Sequence, residues 1–192
     1  MEGSEQSQQL IRHLLEYARA GTHGMSFKMT NFEWVLKQAL TTLKLSILDS
    51  GADISHDSLP QVMADRFQMV QLFQNLLSNA IKYKSDAPLK IHVGVKQCNN
   101  GWVFSVRDNG IGIDPKYKDR IFALFQRLHT KPEHTGSGIG LAICKKIVER
   151  HGGTIWMESQ PNKGAVFYFS LSNTPSPSNL APSEAGSTEP HG

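Results

Sequence analysis

The segment Leu89–Asp114 decides the fold class and reads LKIHVGVKQCNNGWVFSVRDNGIGID. Apolar and polar residues alternate through its first part, a pattern typical of a strand buried on one face. The apolar positions of that strand are Leu89, Ile91, Val93 and Val95. Two asparagines and a glycine at 99–101 then form a turn signal before the second strand, WVFSVRD. The segment therefore predicts an antiparallel hairpin that ends in a glycine-rich turn.

Helices and a second hairpin are predicted on both sides of this segment. Before it, we expect a helix from about Asn31 to Gly51, a short strand near Leu59–Ala64 and a helix from Asp65 that ends before Pro88. After it, we expect a helix around Lys116–Phe125, a helix from the glycine cluster GSGIGLA (136–142) to His151–Gly153, and a hairpin formed by TIWMES and AVFYFSL. The expected fold is two-layer α/β, a mixed, largely antiparallel sheet with helices packed on one face.

The two ends of the chain differ from this central part. Residues 5–20 predict an amphipathic helix that needs a partner, with Leu10, Ile11, Leu14, Leu15 and Ala18 on one face. Residues 174–192 are rich in proline and serine and have no aromatic residue, lysine or arginine, so we expect them to be disordered. The predicted units are therefore 1–24, 25–173 and 174–192.

The composition excludes several classes of protein. The 192 residues carry a formal net charge of +3 and are 39% hydrophobic, enough for a core. Cys98 and Cys144 form no CxxC pair and the histidines lack zinc-site spacing, which argues against a disulfide scaffold or structural zinc. Basic and acidic residues are interleaved, which disfavours nucleic-acid binding. No membrane segment or signal peptide is present, and we expect a cytoplasmic protein.

Two groups of polar residues are candidates for a functional site. Gln71, Asn75 and Asn79 follow at four-residue steps and share one helical stripe, although a solvated helix face is the more common explanation for such a stripe taken alone. Asp108 ends an apolar strand and precedes Asn-Gly-Ile-Gly. Glycines there would let a flat ligand approach while the carboxylate accepts a hydrogen bond from it, for example from the amine of adenine. A tight turn is the alternative explanation for this second group.

A third candidate is the alternation of Gly136, Gly138 and Gly140 directly before a predicted helix. Exposed N–H groups and the helix dipole favour phosphate at such a position. The loop lacks the Gly-Lys-Ser/Thr of a Walker A motif, and Leu141 stands where the dinucleotide fingerprint requires glycine. Taken alone, the cluster is also compatible with a flexible linker.

The order of these groups is more specific than any one of them. NLLSNAIKY (75–83), DNGIGI (108–113), IFALF (121–125) and GSGIGLA resemble the N, G1, F and G2 boxes of the ATP-binding domain of sensor histidine kinases. The resemblance covers about residues 31–172, and its second half is most similar to phytochrome-like sensor kinases. It implies a Bergerat-type α/β sandwich that holds ATP under a flexible lid.

The resemblance also implies roles for individual residues. By it, Asn79 binds magnesium, Asn75 lies near the phosphates, Lys82 contacts phosphate, Tyr83 lines the nucleotide and Asp108 reads adenine. Asparagine oxygen is a suitable ligand for magnesium that bridges phosphate oxygens. The other matched residues are Gly110 and Gly112 of the G1 turn, Phe122 and Phe125 of the F box, and Gly136, Gly138, Gly140 and Leu141 of the G2 box.

Position 71 distinguishes two reactions within the superfamily that the resemblance reaches. The gyrase, chaperone and mismatch-repair ATPases have a glutamate there, which activates water. This chain has Gln71, an amide without useful basicity. We therefore expect phosphoryl transfer to a protein nucleophile and not ATP hydrolysis.

The phosphoacceptor helix of a complete sensor kinase has no counterpart in this sequence. SQQLIRHLLEYARAG resembles the end of the second dimerisation helix, and His13 on it does not match the acceptor pattern. The expected partners are thus ATP with Mg²⁺, a separate histidine-bearing dimerisation domain and a response regulator, with a homodimer through the N-terminal helix as an option. Two alternatives remain open, a serine kinase of the anti-sigma-factor type and a nucleotide-sensing module without transfer activity.

Overall fold

The computed structural model describes Leu15 and residues 26–118, 120–126 and 138–172. Its helices are α1 (Phe32–Thr42), α2 (Lys44–Ser50), α3 (Arg66–Lys82) and α4 (Gly140–Arg150). Its strands are β1 (Lys28–Asn31), β2 (Asp53–His56), β3 (Gln61–Ala64), β4 (Lys90–Cys98), β5 (Gly101–Asp108), β6 (Ile155–Ser159) and β7 (Ala165–Ser172). Within these residues, no helix is both long enough and apolar enough to cross a lipid bilayer.

Five strands form the main sheet in the order β2-β4-β5-β7-β6. β2 runs parallel to β4, and all other neighbours are antiparallel. Both predicted hairpins are present, with Cys98 opposite Gly101 and Ser159 opposite Ala165. β1 and β3 form a separate antiparallel pair. The predicted fold class, a mixed and largely antiparallel sheet with helices, is confirmed.

The core lies between the sheet and helices α1, α3 and α4. Four fully buried rings form its centre, Phe32 of α1, Phe73 of α3, Phe104 of β5 and Phe169 of β7. Phe104 stacks on Phe32 at 4.6 Å between ring centroids and on Phe169 at 5.0 Å. Because these rings come from four elements, their packing fixes the helices against the central strands.

Helices α1 and α3 both begin after a capping side chain. Oδ1 of Asn31 accepts hydrogen bonds from the N–H groups of Glu33 and Trp34. Oδ1 of Asp65 accepts them from the first turn of α3 in the same way. Such caps satisfy N–H groups that the helix itself leaves unpaired.

Other expectations need correction. The helix expected from Asn31 to Gly51 is interrupted at Leu43 and forms α1 and α2. The helix expected around Lys116–Phe125 is wrong, because a 3₁₀ helix (Pro115–Tyr117) is followed by turns with i→i+3 hydrogen bonds and a left-handed Phe125. β1 and β2 were not predicted, since each has four mostly exposed residues without clear alternation. The N-terminal helix, apart from Leu15, and the C-terminal tail lie outside the described residues.

A buried histidine joins the end of α4 to the start of α3. Nε2 of His151 lies 3.0 Å from the backbone N of Asp65, and Nδ1 lies 2.7 Å from the carbonyl oxygen of Ile147. These contacts define the neutral tautomer, in which Nδ1–H donates and Nε2 accepts. Burial lowers the pKa of His151 below its usual value, and the Ile147 carbonyl and the Asp65 carboxylate only partly oppose this effect.

Replacing His151 with Gln should remove a pH-dependent part of the folding stability. Below about pH 6.5 the unfolded wild-type chain binds a proton on this histidine while the folded chain does not. As the pH is lowered from about 6.5, the wild-type free energy of unfolding should therefore decrease, until the pH is below the lowered pKa of the folded state. Urea unfolding between about pH 8 and 5 should show this component in wild type and its loss in the Gln variant. Parallel curves for the two proteins would contradict the assignment.

Candidate functional site

A pocket opens between the C-terminal end of α3, the turn after β5 and the start of β7. It contains about 600 Å³ of empty space, part of which is open to solvent. Its lining residues are Asn79, Tyr83, Asp108, Gly112, Ile113, Ile121, Gln126, Leu141, Ala165 and Phe167. All four predicted boxes contribute to this lining, together with Gln126, Ala165 and Phe167, which lie outside them.

Among the described lining residues, Asp108 is the only carboxylate. Its Oδ1 accepts hydrogen bonds from the backbone N–H of Gly110 at 2.8 Å and of Ala165 at 3.2 Å. Neither bond uses Oδ2, and among the described residues no other hydrogen bond reaches that atom. Burial raises the pKa of Asp108, and the two N–H groups partly oppose that increase. The carboxylate is therefore anchored through one oxygen and offers the other as an acceptor.

The glycines after Asp108 lie directly against neighbouring backbone. A Cβ on Gly110 would overlap the backbone carbonyl of Tyr83, and a Cβ on Gly112 would overlap that of Gln160. Gly112 also has a left-handed φ of 70°. These glycines are required because the protein backbone itself passes close by, so close approach of a ligand is not needed to explain them.

The amide stripe of α3 reaches the pocket with its last member. Asn79 lines the pocket, whereas Asn75, one turn earlier, lies beside the start of α4. Nδ2 of Asn75 is buried and has no oxygen or nitrogen acceptor among the described residues. The nearby Cys144 sulfur is only a weak acceptor. Asn75 therefore keeps a donor that an oxygen-rich ligand would satisfy.

Lys82 and Tyr83 end α3 next to each other. Nζ of Lys82 lies 4.9 Å from the centroid of the Tyr83 ring, a cation–π distance. Tyr83 lines the pocket as expected. Lys82 does not line it, and its ammonium lies over the Tyr83 ring.

The F box contributes to the pocket through unexpected residues. Phe122 and Phe125 do not line it, but their neighbours Ile121 and Gln126 do. Phe122 packs edge-on against Phe167, a lining residue, with ring centroids 6.5 Å apart. Phe125 is half exposed in a left-handed conformation. The F box therefore lines the pocket through Ile121, while Phe122 packs against the lining residue Phe167.

The glycine cluster leads into α4, although Gly136 lies outside the described residues. Gly138 has a φ of 69° and packs against the backbone of Gln126. Gly140 is the first residue of α4, where no side chain caps the helix. Leu141 follows in the helix and lines the pocket. Free N–H groups at this end of α4 are suited to an anionic group.

Sequence reasoning missed five lining residues, Ile113, Ile121, Gln126, Ala165 and Phe167. The alternation of β7 places Ala165 and Phe167 on the buried face, which was a usable signal. Nothing comparable marks Gln126. Together the lining offers apolar walls, one anchored carboxylate and two amides, a combination that suits a flat ring with a hydrogen-bond donor.

Comparison with known proteins identifies relatives of this chain. The family model described as "Histidine kinase-, DNA gyrase B-, and HSP90-like ATPase" matches residues 64–175. Cyanobacterial phytochrome A of Nostoc sp. is 52% identical over 171 residues, which are 89% of this chain and 22% of that protein. The chain spans about a fifth of the length of the curated relatives it matches.

Solved structures of histidine kinases share the fold. The catalytic domain of ThkA has a TM-score of 0.68 and 30% identity, over 79% of this chain and 98% of that one. Full-length ShkA in complex with AMPPNP has a TM-score of 0.75 and 25% identity, over 91% of this chain and 38% of that one.

Two glycine substitutions should separate the requirements of the fold from those of a ligand. Gly110→Ala should lower the free energy of unfolding by roughly 1–3 kcal/mol, because its Cβ collides with backbone. Gly140→Ala should leave stability unchanged or raise it by up to about 1 kcal/mol, since its Cβ would meet only Asn75 at 3.6–3.7 Å. Thermal unfolding measures both effects. Equal loss of stability in the two variants would contradict this distinction.

Proposed function

The chain belongs to the family of histidine kinase-, DNA gyrase B- and HSP90-like ATPases, and from this we propose that it is the ATP-binding catalytic module of a two-component histidine kinase. The proposed reaction transfers the γ-phosphoryl group of Mg-ATP to a histidine side chain of a dimerisation domain. A response regulator is the proposed next acceptor. We assign this function to residues 25–173. We propose that the protein works in the cytoplasm, where ATP is available.

The observation that carries the proposal is the half-paired carboxylate of Asp108. Its Oδ1 is held by two backbone N–H groups while Oδ2 is left as an acceptor at an apolar pocket. The exocyclic amine of adenine is a donor on a flat ring and complements both features. Tyr83 and Ile113 would flank the ring. The ShkA complex with AMPPNP, an analogue of ATP, supports the choice of an adenine nucleotide.

The residues around the start of α4 fit a triphosphate with its cation. The unsatisfied Nδ2 of Asn75 is a buried donor suited to a phosphate oxygen. Asn79 offers an amide oxygen of the kind that Mg²⁺ accepts as a ligand. Mg²⁺, when bound, neutralises phosphate charge. Lys82, Gly138 and Gly140 are proposed to contact the phosphates, together with Gly136, which lies outside the described residues.

The site favours transfer to an external nucleophile over hydrolysis. By the resemblance, the α3 position that carries a water-activating glutamate in related ATPases is occupied here by Gln71, which does not line the pocket. Among the described lining residues, Asp108 and Tyr83 are the titratable ones, and Asp108 is engaged by backbone N–H groups. We therefore infer that the module positions ATP for an acceptor histidine, which is supplied by another domain or chain. The N-terminal residues 1–24 are the proposed remnant of the dimerisation unit and a possible route to a homodimer.

Asp108→Asn should weaken ADP binding by at least about tenfold, the loss expected for one charge-assisted hydrogen bond. The Asn carbonyl can still accept from Gly110 and Ala165, which turns the Asn amide NH₂ toward the adenine amine, donor against donor. Inosine diphosphate has a carbonyl oxygen in place of that amine, so the substitution should weaken its binding less. Isothermal titration calorimetry measures both ligands.

The isosteric change Asp114→Asn is the matched control for this variant. Asp114 caps the 3₁₀ helix outside the pocket lining, and its substitution should leave the ADP affinity unchanged. If the Asp108→Asn variant bound ADP as tightly as the wild-type protein, that result would contradict the proposed mode of adenine recognition.

The proposed activity is tested by incubating the chain with γ-labelled ATP, Mg²⁺ and a purified histidine-bearing dimerisation domain from a related phytochrome-type kinase. Acid-labile label should appear on the added domain, and Asn79→Ala should reduce its rate by at least tenfold, since the triphosphate would lose a positioning contact. Acid-stable label would instead indicate a serine kinase. Tight ATP binding without any transfer would indicate a nucleotide-sensing module.

A further inference from the structure

Ser159, the last residue of β6, joins two segments of the pocket wall through one hydroxyl group. Its Oγ accepts a hydrogen bond from the backbone N–H of Ile113 at 2.8 Å. The same hydroxyl donates to the carbonyl oxygen of Gly164 at 2.7 Å. Ser159 itself does not line the pocket, but Ile113 does. One side chain thus connects the turn after β5 to the turn before β7.

The carbonyl that Ser159 holds belongs to the same peptide unit that anchors Asp108. This unit consists of the C=O of Gly164 and the N–H of Ala165, and that N–H donates to Oδ1 of Asp108 at 3.2 Å. A continuous series of hydrogen bonds therefore runs from Ile113 through Ser159 and the Gly164–Ala165 peptide to Asp108. Hydrogen bonds in such a series polarise and strengthen one another.

The surrounding backbone gives this series little room to rearrange. A Cβ on Gly164 would overlap the carbonyl oxygen of Asp108, and Gly164 has a left-handed φ of 74°. The backbone N–H of Asn162, in the same turn, also donates to the carbonyl of Ile111 at 2.7 Å. Because the two turns touch through main-chain atoms, a small rotation of the Gly164–Ala165 peptide must move its N–H relative to Asp108.

We propose that Ser159 is a positioning residue for nucleotide recognition, which holds the Gly164–Ala165 peptide so that Asp108 presents Oδ2 to the base. This role rests on the proposed function, because it concerns how the same pocket reads adenine. Ser159 acts through Asp108 and Ile113 without contacting the nucleotide. Its hydroxyl is required both as a donor and as an acceptor, a pair of roles that only an O–H group fills at this size.

Ser170 on β7 provides a matched control within the same hairpin. Its Oγ accepts from the backbone N–H of Thr154 at 2.9 Å and lies 3.4 Å from the Thr154 carbonyl oxygen. It therefore ties backbone at the other end of the β6–β7 pair, and it has no hydrogen bond to a pocket residue among those described. The Ser170→Ala variant therefore shows the effect of removing a serine hydroxyl that stabilises the hairpin away from the pocket.

The test measures the preference for ADP over inosine diphosphate in the full chain by calorimetry, alongside thermal unfolding. Ser159→Ala should lower that preference by about tenfold, because Asp108 is no longer held for the adenine amine while inosine lacks that amine. Ser159→Thr keeps the hydroxyl and should retain the preference. Ser170→Ala should keep the wild-type preference even if it unfolds at a lower temperature.

Three further results decide the matter. A folded Ser159→Ala protein with the wild-type preference would overturn the role of Ser159 alone. If Ser159→Ala does not fold, Ser159→Cys, with its weaker S–H donor, must show a reduced preference, and an unchanged one would overturn the role. If the wild-type chain binds no ADP, the proposed function fails and the role of Ser159 fails with it.

Discussion

Close contact between three backbone segments is the constraint on which the pocket depends. The turn after β5 packs against the end of α3 at Gly110 and against the turn between β6 and β7 at Gly112 and Gly164. At each of these glycines a Cβ would collide with a carbonyl oxygen of the neighbouring segment. The spacing is therefore set by main-chain atoms, and it allows backbone N–H groups from two separate turns to reach one oxygen of Asp108.

Unpaired polar atoms are the consequence of this construction. Burial opposes the ionised form of Asp108, and its two hydrogen bonds support that form but fall on the same oxygen. A buried polar atom left without a partner typically costs about 1–3 kcal/mol. Among the residues described, Nδ2 of Asn75 is such an atom. In the proposed mode of binding, a ring amine would pair with Oδ2 of Asp108 and a phosphate oxygen with Nδ2 of Asn75.

The sequence predicted the parts of the fold that follow from local periodicity. Alternating apolar residues located both hairpins, and apolar residues at helical spacing located α3 and α4. Both patterns arise because the apolar side chains face the same core. The motif residues Asn79, Tyr83, Asp108, Gly112 and Leu141 were predicted to lie at a site, and the structure brings them together at one pocket. Ser159, Ala165 and Phe167 were missed because their position at the pocket depends on long-range packing of the last hairpin. The contact of Gly110 with the Tyr83 carbonyl was not predicted for the same reason, since the sequence does not show which backbone lies beside it.

The chemistry of the site follows from what its described residues provide and what they do not. Attack on a phosphorus atom by water or by a serine hydroxyl benefits from a base that removes the proton. Gln71 cannot act as that base, and the one carboxylate of the described lining accepts two backbone hydrogen bonds on Oδ1. A neutral imidazole presents a nitrogen lone pair near neutral pH and needs no base to become nucleophilic. A pocket that positions a nucleotide without supplying a base therefore suits histidine as the acceptor better than serine or water.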